Sequence, residues 1–103
     1  MPKESDYIIS LSNDVRLRLR YRVAGNDVEA FTGQLETLVD DEWLAVVRYD
    51  GAHGAPHRDT LDQSGNVIEK EWVPGSFNDV LTSGTRELRV NWRQYISRFK
   101  GKT

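Results

Sequence analysis

The sequence predicts an α+β fold, an antiparallel meander of about five strands with a C-terminal amphipathic helix packed on one face. Three observations carry that expectation. Apolar and polar residues alternate at period two through the first three-quarters of the chain, turn-forming pairs punctuate the alternation, and the period changes to a helical one after residue 76. A run of strands followed by a helix is the α+β pattern and not the alternating α/β one. A length of 103 residues supports a single domain over 1–103.

Residues 1–12, with Pro2 and many polar side chains, read as a loosely ordered lead-in. From Val15 to Val23 the alternation is strict. Val15, Leu17, Leu19, Tyr21 and Val23 face one way, and Arg16, Arg18, Arg20 and Arg22 the other. Gly25-Asn26-Asp27 is a turn. A second strand runs from about Val28 to Val39, with Phe31, Leu35 and Val39 on one face. Gly33 in its middle implies a bulge or a close backbone approach. Asp40-Asp41 turns the chain into Trp43–Tyr49, where adjacent Val46 and Val47 read as a central strand covered on both faces. Asp50 to Pro56 cannot be regular because two glycines and a proline set its backbone. His57–Asp62 and Val67–Val73 form the last two strands around Ser64-Gly65.

Ser76 is placed to cap the helix, with Asp79 three residues on. Phe77, Leu81, Gly84, Leu88, Trp92, Tyr95 and Phe99 then recur at three- and four-residue spacing, widened by Val80 and Ile96. Trp92, Tyr95 and Phe99 are expected to supply much of the helix–sheet contact. Thr82-Ser83-Gly84-Thr85 is the place where one helix could become two.

Composition removes whole function classes. The absence of cysteine excludes disulfides, thiolate zinc sites and thiol catalysis. No apolar run approaches the roughly 20 residues of a membrane span, and no cationic-then-apolar leader opens the chain, so a cytoplasmic location without membrane partners is expected. There is no phosphate-binding loop, dinucleotide fingerprint or nucleophile elbow. The net charge of −2 is divided unevenly: residues 1–75 carry 8 basic and 14 acidic side chains, residues 76–103 carry 6 and 2. Such a bipolar chain either compensates itself or steers toward a charged partner.

The chemistry-bearing side chains concentrate between Arg48 and Asp59. This stretch contains both histidines, His53 and His57, together with Arg48, Tyr49, Asp50, Arg58 and Asp59. Pairing of the flanking strands would bring these groups to one end of the sheet around one hollow. Three readings stay open. The polar groups satisfy the loop's own backbone. Alternatively His57 and His53 act as acid and base on a phosphodiester, with Asp59 orienting an imidazole, Asp50 nearby, Arg48 and Arg58 on phosphate and Tyr49 shaping the pocket. In the third reading His53, His57, Asp59 and Asp50 ligate a metal, although Gly54 and Pro56 deny the two histidines a shared helix face.

The arginine row offers a second surface. Arg18 and Arg20, flanked by Arg16 and Arg22, could contact nucleic acid or an acidic partner. Cross-strand ion pairs are the other reading, with Glu36 but not Glu29 on the matching face of the next strand. Arg86, Arg89 and Arg93 on the helix form a solvated face or an extension of that basic surface.

Arg48 to Asp59 resembles a small uncharacterised prokaryotic family with a similar Arg-Tyr-Asp-x-Ala-His-Gly-x-Pro-His-Arg-Asp stretch, a following hairpin, and a helix bearing a pair like Asn91-Trp92. Arg48-Tyr49-Asp50 and the histidines after it are more distantly similar to the core of TumE-type toxins of toxin–antitoxin pairs. Gly51 stands where those have Asn, and their histidine cluster is denser. This resemblance implies a toxin-type enzyme acting on RNA or a phosphodiester, with RNA or an acidic antitoxin as partner. The other expectation is a non-enzymatic interaction module using the arginine face. Neither implies a cofactor, and a homodimer is left open.

Overall fold

The computed structural model describes residues 2–52 and 54–101. Its described residues form six strands and a helix: β1 (Lys3–Ser12), β2 (Val15–Ala24), β3 (Asp27–Val39), β4 (Glu42–Gly51), β5 (His57–Leu61), β6 (Val67–Trp72) and α1 (Phe77–Phe99). The strands form one antiparallel sheet in sequential order, β1 to β6. The expected meander and C-terminal helix are therefore present, with one strand more than anticipated.

The extra strand corrects the reading of residues 1–12 as a loose lead-in. β1 pairs with β2 from Lys3↔Val23 to Ser12↔Val15. Its side chains are mostly exposed, but Tyr7, Ile9 and Leu11 alternate at period two, and Ile9 and Leu11 pack against the core. It is held by ladder hydrogen bonds and by carboxylates facing the arginines of β2. The β1–β2 turn is secured in turn by β3, where Leu38 N and Thr37 Oγ1 both donate to the Asp14 carbonyl, at 2.9 and 3.0 Å. Asp40 and Asp41 take φ values of 49° and 67°, the left-handed pair that a two-residue hairpin with right-handed strand twist requires.

Two register shifts shape the middle of the sheet. In the β3–β4 pair Leu35 faces Val47 and Glu36 faces Ala45, leaving Val46 as the extra residue of a bulge. That bulge, and not cover on both faces, accounts for two consecutive valines in the core. Both are fully buried in the cluster that contains Leu17, Leu35, Leu88 and Phe99. The β2–β3 bulge leaves Glu29 unpaired in the ladder.

α1 is one continuous helix through residues 82–85 and packs chiefly on β3 and β4. Ser76 caps it, its side chain accepting from Asp79 N at 3.1 Å. Its buried positions are Val80, Gly84, Leu88, Ile96 and Phe99; Trp92 and Tyr95 flank this stripe half-buried and do not form its centre. Gly84 is a contact point and not a break. A Cβ there would lie 2.8 Å from Tyr49 Cγ, so glycine lets the helix backbone rest on that ring. The other end is fastened by Gln63 Nε2, which donates to the Phe99 carbonyl at 2.9 Å. Because the helix covers one face, the opposite face of β1–β6 is open, and the residues of interest lie there.

Candidate functional site

The β4–β5 register pairs Arg48 with Asp59, Tyr49 with Arg58, and Asp50 with His57. Strand alternation sends directly paired residues to the same face and their neighbours to the other. Of the seven groups expected around one hollow, the six that are described therefore divide. Arg48, Asp50, His57 and Asp59 occupy the open face, while Tyr49 and Arg58 point toward the helix. His53 lies outside the described residues.

On the helix side, Tyr49 and Arg58 belong to a polar cluster anchored by Glu87. The Tyr49 and Tyr95 hydroxyls each donate to Glu87 Oε1 at 2.7 Å, and Asn91 Nδ2 donates to Oε2 at 2.9 Å. Arg58 donates to the Tyr95 hydroxyl at 3.1 Å and to Glu71 at 2.8 Å. Burial, reinforced by Glu87, pushes the Tyr49 hydroxyl up to about 12. The same causes raise Tyr95. With these bonds made, Arg58 braces helix against sheet and is not available to the histidine. Its assignment as a phosphate ligand beside His57 is corrected accordingly, as is Tyr49's as a wall of the same pocket.

On the open face, His57 Nε2 lies 2.7 Å from Asp50 Oδ1 and 3.6 Å from Asp59 Oδ2. Lys70 Nζ stands 3.8 Å from Asp59 Oδ1. The imidazole packs edge-on against Trp72, with ring centroids 5.5 Å apart. Lys70 and Trp72 reach the site through the β5–β6 register, which pairs His57 with Trp72 and Asp59 with Lys70. The sequence reading missed them, yet a hairpin centred on Ser64-Gly65 implies both pairs. Asp59 is only 4% exposed, and its Oδ1 and His57 Nδ1 are buried without a hydrogen-bond partner among the described residues. Burial raises the Asp50 carboxyl above the usual range; His57 and Arg48 oppose that shift and Asp59 adds to it.

The remaining predicted ligands are spoken for in part. Arg48 Nε donates to Gln34 Oε1 at 2.8 Å, Gln34 donates to Glu36 at 2.6 Å, and Glu36 accepts from Arg16 at 2.7 Å. Arg48 thus starts a chain running away from His57. Arg18 and Arg20 share Asp6 of β1, at 3.2 and 3.4 Å. Arg22 pairs with Glu29 at 2.7 Å, which the bulge turns toward the arginine row, contrary to the expectation that Glu36 alone would face it. Each of the four guanidiniums therefore has a carboxylate partner. The exposed pairs with Asp6 are weak and open readily to a competing anion.

Register also aligns one residue per strand in a row across the open face: Asp6, Arg20, Thr32, Asp50, His57 and Trp72. Beside this row lies a cleft of about 620 Å³, lined on one side by Arg20 and Arg22 and on the other by Asp50, Ala52 and His57. Arg20 and His57 are three strands apart, about 14 Å at the usual spacing. The cleft can hold an anion on its arginine wall while a proton is given or taken at the histidine wall. Asp50, His57 and Asp59 are also the groups able to hold a metal ion, their ligand atoms all within 4.8 Å of one another. No helix among the described residues is long and apolar enough to cross a membrane.

A family model described as a domain of unknown function, DUF7718, matches residues 1–103. No curated protein and no solved structure gives a significant match. On a match that spans its whole length, the chain belongs to the DUF7718 family.

Proposed function

We propose that the open-face cleft is the active site of an enzyme acting on RNA or another phosphodiester. One observation carries the reading: His57 Nε2 is held 2.7 Å from Asp50 in a cleft whose facing wall is Arg20 and Arg22. Asp50, on the cleft, is the group that meets the substrate, and it exchanges its proton with His57 Nε2 behind it, because His57 Nδ1 is buried. The arginines, about 14 Å from His57 at the usual strand spacing, hold a flanking phosphate of the substrate strand by charge-assisted hydrogen bonds, leaving Asp6, Glu4 and Glu29 as they do so. An acidic antitoxin would occupy the same two arginines, and RNA as substrate would place the protein in the cytoplasm of a prokaryotic host.

The test is cleavage of RNA and of a chromogenic phosphodiester by wild type, His57→Ala and Arg20→Ser. General acid–base catalysis contributes about 10²–10⁴-fold, so His57→Ala should lose turnover on that scale. Arg20→Ser should chiefly raise KM. Expression of wild type, but not His57→Ala, should slow bacterial growth. A wild type without activity on either substrate, or a His57→Ala variant as active as wild type, overturns the reading.

A further inference from the structure

We infer that Asp50, His57 and Asp59 form a binding site for one divalent transition-metal cation, of the zinc or manganese type. Their ligand atoms lie within 4.8 Å of one another, so modest side-chain adjustment can bring all three to a shared ion. The second observation is independent of that grouping. Asp59 is 4% exposed, yet its Oδ1 has no hydrogen-bond partner among the described residues, and Lys70 Nζ at 3.8 Å is within ion-pair distance but beyond hydrogen-bond reach. A buried carboxylate oxygen without a donor is costly, and a cation is the partner that relieves it.

The setting suits an ion. Two carboxylates and a neutral imidazole carry a charge of −2, offset in part by the Lys70 ammonium beside Asp59, so the ligand set remains anionic and attracts a cation. The ligands stand on paired strands β4 and β5, and Trp72 fixes the imidazole plane. Three protein ligands leave coordination positions open toward the cleft, the arrangement of catalytic and not structural sites. The imidazole donor selects a transition metal over magnesium or calcium. Ligation through Nε2 puts the ring proton on Nδ1, which lacks an acceptor. Because an oriented second nitrogen is worth about 10–100-fold in affinity, binding is expected to be correspondingly weaker than at fully supported sites, in the micromolar range.

The cation and the Nε2 proton exclude each other. A bound ion would make His57 a ligand and would polarise a phosphoryl oxygen in the cleft. That role rests on the catalytic reading above; the binding does not.

The experiment is equilibrium dialysis of the untagged full chain against zinc and against manganese, with elemental analysis. About one equivalent should be retained by wild type. Asp59→Asn and Asp50→Asn, each checked for wild-type circular dichroism, should weaken retention at least tenfold. Lys70→Ala should retain the ion. Asp50 is the more exposed ligand, so its variant keeps the test decisive if Asp59→Asn does not fold. No retention by wild type at 100-fold excess over about 1 μM protein, or equal retention by Asp50→Asn, overturns the site. An ion bound without any phosphodiester cleavage overturns the catalytic reading and leaves this one standing. Cleavage that survives chelation in a protein that binds no ion does the reverse.

Discussion

Gly84→Ala is the sharpest probe of how the helix meets the sheet. Two opposing effects act at this position. Alanine improves helix propensity by about 1 kcal/mol over glycine. Its methyl, however, would lie 2.8, 3.0 and 3.1 Å from Cγ, Cδ1 and Cδ2 of Tyr49, where carbon atoms prefer about 3.5–4.0 Å. The ring cannot swing aside freely, because Tyr49 is buried and its hydroxyl is tied to Glu87 of the same helix at 2.7 Å. Overpacking of this kind costs about 1–3 kcal/mol. The net expectation is a loss of about 1 kcal/mol, or a Tm lower by roughly 4–8 °C. Removing the ring isolates the propensity effect. In a Tyr49→Ala background Gly84→Ala should stabilise by about 1 kcal/mol, reversing sign, with a coupling of about 2 kcal/mol. Urea unfolding of the four proteins of this cycle, in one stabilising osmolyte, supplies the measurement. Stabilisation of wild type by Gly84→Ala, or the same change in both backgrounds, would refute the close-contact account.

Two further expectations follow from the polar networks. Arg16→Ala should cost about 1–3 kcal/mol, because it leaves the buried Glu36 carboxylate with Gln34 as its remaining hydrogen-bond donor, whereas Arg18→Ala, whose partner Asp6 is half exposed, should cost less; equal losses in urea unfolding would contradict this ranking. The Tyr49 hydroxyl, pushed up to about 12, is kept neutral by the fold, so its stabilisation is complete below the ordinary tyrosine value and is lost as pH rises through the native one. Glu87→Gln should move the late part of the tyrosine absorbance titration to lower pH but not to the ordinary value, since burial remains the larger cause; an unchanged curve would remove Glu87 from the account.

Local sequence determined the framework. The strict alternation of Val15–Val23 dictated a strand with an arginine face, Ser64-Gly65 dictated the last hairpin and with it the pairs His57–Trp72 and Asp59–Lys70, and the helical spacing from Phe77 to Phe99 dictated one apolar stripe. The tertiary structure decided the rest. Residues 3–12 carry only a short period-two pattern, Tyr7, Ile9 and Leu11, and they become a strand because β2 offers an unpaired edge, the core takes Ile9 and Leu11, and Glu4 and Asp6 can face the arginine row. The bulges at Val46 and Glu29 arise from how neighbouring strands are matched, which no single strand encodes. The division of Arg48–Asp59 into a helix-facing brace and an open-face cluster follows from the pleat once the register is set. A residue's neighbours along the chain lie on the opposite face, and its chemical partners are the residues across from it on other strands.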